Sequence, residues 1–534
     1  MKVPKTLSGP TRPLHTDAHR WRIVTLGTFV CFVAFATMAS LAGANDQSDS
    51  HAYDLVVHGG RVLDPASGFD GIRDVGIREG TIVALSEKPL QGNKIIDATG
   101  LVVAPGFIDL HTHSITPLGQ QYQLLDGVTT ALELEAGAYP VEAYGSEIKD
   151  SARIHYGSSV GWGSARLEAL LGIRRTHLLA SKPSPVGMRG IWTAIKLLFG
   201  GTANEVFTRN ATEGEIEHMR KMLEEGLDRG ALGIGVPLDY FSEGVDDAEL
   251  RMIFEVAGAR ETILFIHVRR GVNGDPAGLR EALRLAAETG AAVHICHIQH
   301  NAMRNTELFL REIREARAAG VDVTTELLPY NAGSALISSA VFGRDWRAIF
   351  DIDYSDVEWA ATGMRFDEAT WNDYRENQPE GQVVHHYVEE EWTRLALLEP
   401  GVIVVSDLLP MVDETSMVAP HNGAFSKILG RYVREAGIID LMTALSKMTS
   451  LPAERMGNFF PAFERKGRVN IGADADLTIF DPSEILDRAT YGNPFQPAAG
   501  IAHVIVGGEV AVEGGNLVDG AYAGKHIFGE RAKD

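Results

Sequence analysis

Cysteine is almost missing from this 534-residue chain, which carries only Cys31 and Cys296. That excludes a disulfide scaffold, and it excludes a metal site built from several thiolates. Positive charge is short as well. Lys and Arg number 49 against 71 Asp and Glu, a formal net charge of −22. Binding a polyanion needs clustered Lys and Arg to neutralise phosphates, so nucleic acid is not expected as a partner. Short internal repeats are absent too. What the chain has in abundance is length, enough for several domain equivalents, and glycine. Its 56 glycines imply many tight turns between short elements.

One long apolar run stands apart from the rest. Arg20 and Arg22 precede residues 23–41, which are interrupted only by Thr25, Gly27, Thr28, Thr37 and Ser40. Ala42-Gly43-Ala44 follows, then a polar stretch from Asn45 onward. A basic start, an apolar core and a small-x-small end describe a secretory signal peptide. Residues 1–44 are therefore expected to be removed after Ala44, which makes the protein exported, periplasmic or secreted. The alternative is an uncleaved segment anchoring it to a membrane, since about 20 apolar residues can span a bilayer. Cleavage leaves Cys296 as the only thiol.

Residues 53–103 read as short strands between turns, as in Leu55-Val56-Val57 before Gly59-Gly60 and Val75-Gly76-Ile77 before Glu79-Gly80. Apolar runs bounded by Gly, Asp and Pro are strand signals. The same texture returns in Leu477-Thr478-Ile479-Phe480 and Val504-Ile505-Val506. The expectation is one small β-sandwich domain built from both ends, residues 45–104 plus 460–534. Between them, apolar strand candidates end near His111, Glu135, Val160, Val236, His267, His297, Glu326 and Asp407. Helical patterns at 213–229, 246–259, 277–289 and 306–319 separate several of these. In the first, Ile216, Met219, Leu223 and Leu227 line one face. Repeated strand–helix alternation predicts an α/β fold, a (β/α)8 barrel over residues 105–459. Residues 343–382, rich in Trp, Tyr and acidic side chains, break the alternation and are expected to form an insertion.

Barrel chemistry sits at the carboxyl ends of the strands, where this chain places its histidines. Residues i and i+2 of a strand point the same way, so His111 and His113 can reach one metal. Phe265-Ile266-His267 closes one strand, His294-Ile295-Cys296-His297 the next and Val404-Val405-Ser406-Asp407 the last. Four imidazoles and a carboxylate form a set suited to zinc. Cys296 points away from the face of His297, as a small buried hydrophobe does. His294 and His300 are expected behind the ligands or in loops.

These residues and their surroundings resemble the amidohydrolase superfamily, and within it the N-acyl-D-amino-acid deacylase branch. The resemblance runs through Gly59-Gly60-Arg61-Val62-Leu63-Asp64, Pro105-Gly106-Phe107-Ile108-Asp109, Gly127-Val128-Thr129-Thr130, Gly230-Ala231-Leu232-Gly233, Leu328-Pro329-Tyr330 and Gly472-Ala473-Asp474-Ala475-Asp476. It implies a metal-dependent hydrolase, with His111, His113, His267, His297 and Asp407 on its metal and catalytic positions. Where the branch has a cysteine ligand after the second strand, this chain has Glu133-Leu134-Glu135. Glu135, nearer the mouth, is expected to bridge two ions, with Glu133 as the second choice. Where the branch holds the substrate carboxylate with a lysine and an arginine, this chain has Gln299 and Pro420. Arg269 and Arg270 are the candidate replacements, since a guanidinium grips a carboxylate bidentately. Tyr330 keeps a phenol at a substrate-binding position of the branch.

The reading that follows is hydrolysis of a small linear amide, an N-acyl amino acid or similar compound, with one or two divalent ions activating water and Asp407 moving the proton. Rival readings are a cyclic amide or lactone hydrolase and a non-catalytic barrel that only binds. A homo-oligomer is compatible with the sequence.

Overall fold

The computed structural model describes residues 53–198, 204–414 and 421–530. The expected signal segment and Pro420 lie outside the described residues.

Eight parallel strands form the centre: β1 (Phe107–Asp109), β2 (Val128–Ala138), β3 (His155–Gly161), β4 (Ile234–Val236), β5 (Ile263–Ile266), β6 (Ala292–Ile295), β7 (Val323–Leu327) and β8 (Val402–Val404). Each pairs with the next in chain order. The ring closes just past the ends of β8 and β1, where Asp407 N–H donates to His111 O and His113 N–H to Leu408 O, both at 2.8 Å. This is a (β/α)8 barrel. Its strands are buried almost throughout, as expected for a parallel sheet covered by helices.

The helices form where the apolar period is 3.6. Thr212 caps Glu213–Asp228 and Glu215 reaches back to complete a capping box, which satisfies two end N–H groups. Met219, Leu223 and Leu227 of that helix are buried. Asp246 caps Asp247–Ala259 by accepting from Glu249 N–H.

β2 is irregular where it matters. Its pairing with β3 runs to Glu133 opposite Ser158 and resumes at Ala138 opposite Val160. The strand bulges over the residues between. Gly137 makes the bulge feasible, with φ +63° and a missing Cβ that would lie 2.7 Å from the backbone of Gly161.

Both ends of the described chain meet in one nine-stranded sheet. Leu477–Phe480 pairs antiparallel with Val102–Pro105 and joins the late strands to the early ones. Asp476 anchors this seam, accepting from Lys466 Nζ at 2.7 Å and lying 3.1 Å from His155 Nε2 of β3. Between β7 and β8 the chain leaves the barrel and builds a four-stranded sheet from Ala332–Leu336, Val357–Trp359, Met364–Arg365 and Gln382–His386. Phe342, Trp346, Phe350, Trp359 and Trp371 pack its core.

Candidate metal centre

His111 and His113 leave β1, Glu135 sits in the bulge of β2, and His267, His297 and Asp407 follow β5, β6 and β8. Four of their atoms gather about the His111–His113 pair, with Glu135 and Asp407 each 3.3–3.4 Å from both imidazole nitrogens. His111 Nε2 is 3.3 Å from His113 Nε2 and 3.3 Å from Glu135 Oε2. It is 3.4 Å from Asp407 Oδ1. His113 Nε2 lies 3.4 Å from that Glu135 oxygen and 3.3 Å from the Asp407 oxygen. Ligands about 2.1 Å from a tetrahedral ion stand about 3.4 Å apart, so the triad His111, His113 and Asp407 has the spacing of donors to a zinc-class ion. The other oxygen of Glu135 faces a second pair, His267 Nδ1 at 2.9 Å and His297 Nε2 at 3.3 Å. One carboxylate thus links two donor groups, and the second group has three protein ligands, the number that leaves a position open for water or substrate.

The supporting groups hold this geometry. Glu133, in contrast to its neighbour Glu135, does not face the shared centre. Its Oε2 lies 2.8 Å from His113 Nδ1 and 2.5 Å from His177 Nε2, and its Oε1 accepts from Ala136 N–H at 3.1 Å. Glu326, at the end of β7, lies 2.6 Å from His111 Nδ1 and 2.9 Å from His294 Nε2. It also accepts from His297 N–H at 3.2 Å. A carboxylate behind an imidazole fixes which nitrogen is free to ligate. Asp109 ties β1 to β8 by accepting from the hydroxyl and N–H of Ser406 and from His111 N–H. Burial pushes its carboxyl up to about 7. His297 and Asp407 adopt left-handed backbone, φ 27° and 51°, a conformation that non-glycine residues hold mainly where function requires it.

Charge is organised accordingly. Burial works against ionisation of Glu135 and Asp407, but His111 and the neighbouring imidazoles hold both carboxyls well below their usual range. Burial, with His297 alongside, brings His267 down to about 4, so its ring is neutral at neutral pH, with Arg270 Nη2 3.0 Å from its Nε2. Burial and the charge of Glu326 push the Cys296 thiol well above its usual value, which makes it a poor nucleophile.

The four residues expected at the substrate part company. Arg270 lines a cavity of about 1170 Å³ that also contains His113, Glu135, His267, His297 and Asp407. Arg269 turns outward, because its guanidinium is consumed by Glu281, Ser242 O and Val245 O. Gln299 is fully buried with its amide on Leu328 O, since it lies in a helical turn after β6 that points it into the core. Tyr330 is buried with its ring stacked 4.6 Å from that of His421, and neither Gln299 nor Tyr330 lines the cavity. His421 Nδ1 in turn hydrogen-bonds Asp407 O at 2.8 Å.

Two residues beside Arg270 carry no sequence signal. Asp239 is buried and accepts both terminal nitrogens of Arg344, at 3.0 and 3.1 Å, with Arg270 Nη1 at 3.5 Å. Against burial, Arg270, His267 and Arg344 hold its carboxyl below the usual range. Two guanidiniums share one carboxylate, leaving one surplus positive charge on the cavity wall. Among the described residues, the buried Nε groups of Arg270 and Arg344 have no hydrogen-bond partner.

The chain is similar to known proteins in both sequence and structure. Residues 94–165 match the family model described as Amidohydrolase family. An N-acyl-D-glutamate deacylase of Alcaligenes xylosoxydans xylosoxydans is 30% identical over 483 residues, covering 85% of this chain and 93% of its own. A D-aminoacylase of the same organism is 30% identical, covering 86% and 95%. In structure, the chain is similar to the N-acyl-D-glutamate deacylase of Bordetella bronchiseptica solved with zinc and a phosphonate mimic of the tetrahedral intermediate. That similarity has a TM-score of 0.72 at 25% identity, covering 89% of this chain and 99% of the other.

Proposed function

The chain belongs to the amidohydrolase family, on its D-aminoacylase branch, and is a metal-dependent, deacylase-like hydrolase; from that premise we propose that it cleaves the linear amide of an N-acyl amino acid with zinc as its metal. The observation that carries this reading is the buried cluster of His111, His113 and Asp407 beside Glu135, which also faces His267 and His297. Such a complete donor set argues against a barrel that only binds.

A divalent ion held there supplies Lewis acidity, lowering the pKa of water and polarising a carbonyl oxygen. The remaining work falls to the chain. Asp407, kept ionised by the imidazoles around it, accepts the proton of the attacking water and delivers it to the leaving nitrogen. Glu133 and Glu326 keep the imidazole rings oriented. Arg270, on the cavity wall, meets the α-carboxylate of the substrate. A carboxylate entering a desolvated pocket without a cation costs several kcal/mol, and the surplus charge of the Arg270–Arg344–Asp239 group removes that cost. The leader-like segment 1–44 supports placing this activity outside the cytoplasm.

The test is turnover by zinc-loaded protein of N-acyl-D- and N-acyl-L-amino acids, each beside its neutral carboxamide and beside a cyclic amide such as a dihydropyrimidine. Preference for the free linear acid supports the reading. Preference for the neutral or cyclic compound overturns it.

A further inference from the structure

The lining of the cavity differs from one side to the other. Its polar wall comes from the segments after β5 and β7, with Arg270, Arg344, His385 and Tyr387. The segments after β3 and β4 line an arm with Leu167, Leu171, Ile173, Leu178, Val206 and Phe241. None of these six carries a polar side chain, and Leu171, Ile173, Val206 and Phe241 are no more than 7% exposed; Asn204, Thr208, Ser242 and Glu243 of the same segments border the arm. Gly163 also lines the cavity, and a Cβ there would lie 2.7 Å from Leu178 Cδ1, so its missing side chain lets Leu178 and Phe241 close the wall. Farther out stand Leu179 and Leu197, 48% and 39% exposed. Leu197 belongs to the helix Gly187–Leu198, whose Ile191 and Trp192 are also exposed, so the open end is apolar too. Arg175, which shares the cavity, has its Nε committed to Ser181 O at 2.7 Å.

We propose that this arm binds a medium- or long-chain alkyl group, and that the natural substrates are N-acyl amino acids whose acyl chain runs from the metal centre between Leu167, Leu171 and Phe241 toward Leu179 and Leu197. The proposal rests on the deacylase reading above and adds the acyl class to it. A cavity of about 1170 Å³ exceeds the ~300–1,000 Å³ that ordinary small ligands fill. An apolar arm of this kind gains nothing from water, which needs polar partners to stay, and gains with every methylene placed in it. The carboxylate end on Arg270 and the alkyl end across the barrel mouth leave the amide carbon between them, beside Glu135 and Asp407.

Two series test this. The first measures kcat/KM for the N-acetyl, N-butanoyl, N-octanoyl and N-dodecanoyl forms of one amino acid accepted by the zinc-loaded protein. The second measures calorimetric binding of butanoate, octanoate and dodecanoate to the same protein, below micellar concentrations. Each added methylene should improve both quantities about two- to fourfold until the arm is full, with a negative heat-capacity change on binding. Leu167→Trp should lower the dodecanoyl-to-acetyl ratio by about tenfold or more, the equivalent of losing two or more methylenes. Leu178→Trp does the same from the opposite wall if the first variant fails to fold. Constants that are flat or worsen with chain length overturn the proposal, as do folded Trp variants with the wild-type ratio. If no N-acyl amino acid is turned over, the deacylase reading fails, and the alkanoate series still decides the arm.

Discussion

Removing the charge of Glu326 without changing its shape probes how far the metal centre depends on residues that never touch the metal. The carboxylate serves three donors at once: His111 Nδ1 at 2.6 Å, His294 Nε2 at 2.9 Å and His297 N–H at 3.2 Å. Glutamine offers one acceptor oxygen and one NH2. In Glu326→Gln the NH2 must face one of the three donors, and His111 also loses the anion that keeps its proton on Nδ1 and its Nε2 free. A hydrogen bond to a charged group contributes about 1.5–3 kcal/mol, which corresponds to about 10–150-fold in a dissociation constant. That overlaps the ~10–100-fold typical of partners behind metal ligands. Chelator competition with zinc reads the constant directly, and a melting curve confirms that the variant is folded. A folded Glu326→Gln protein binding zinc within about threefold of wild type would refute the claim that this carboxylate sets the tautomer of His111.

Asp407→Asn should lower kcat by about 10²- to 10⁴-fold, the usual share of a general base, while at least one ion stays with Glu135, His267 and His297; an Asn variant within a few-fold of wild type would assign the proton to another group. Arg270→Met should abolish the preference for a free acid over its carboxamide, whereas Arg269→Met, which removes contacts to Glu281, Ser242 O and Val245 O, should leave that preference intact; paired kinetics on the two substrates check both. Asp476→Asn leaves the buried Lys466 with only the half-buried Asp474, 3.3 Å away, as counter-ion, at a cost of up to about 3–5 kcal/mol readable as a lowered melting temperature. Against burial, Lys466 and His155 hold the Asp476 carboxyl well below its usual value. Its contribution is therefore complete above the unfolded pKa of about 3.9 and is lost as pH falls toward the depressed folded value. The difference between wild type and Asp476→Asn should shrink in melts below about pH 4.

The ligand histidines were legible because each ends an apolar strand run, and because alternation puts His111 and His113 on one side. Alternation misleads at Glu133 and Glu135. It places both on one face, whereas the bulge before Ala138 turns Glu135 to the centre and leaves Glu133 on His113 and His177. Gly137, two residues on, is the trace of that bulge in the sequence. Glu326 ends a strand as the ligands do, so its place in the barrel was readable while its service to His111 and His294 was not. Arg269 and Arg270 are adjacent and chemically equal, and only the packing of Glu281 against the first separates them. Asp239, His177 and Arg344 reach the site from segments without helical or strand period, where sequence pattern carries no direction. The insertion, expected over 343–382, has its sheet over a wider span, starting at Ala332–Leu336 and ending at Gln382–His386. Ala332-Gly333-Ser334-Ala335-Leu336 is too small and mixed to read as a strand.

The central claim is that Glu135 joins two donor groups. Elemental analysis of zinc-reconstituted protein tests it directly, in wild type, Glu135→Ala and Glu133→Ala. The account expects between one and two ions per chain in wild type, a clear loss in Glu135→Ala, and a smaller loss in Glu133→Ala. Unchanged metal content in folded Glu135→Ala would contradict it.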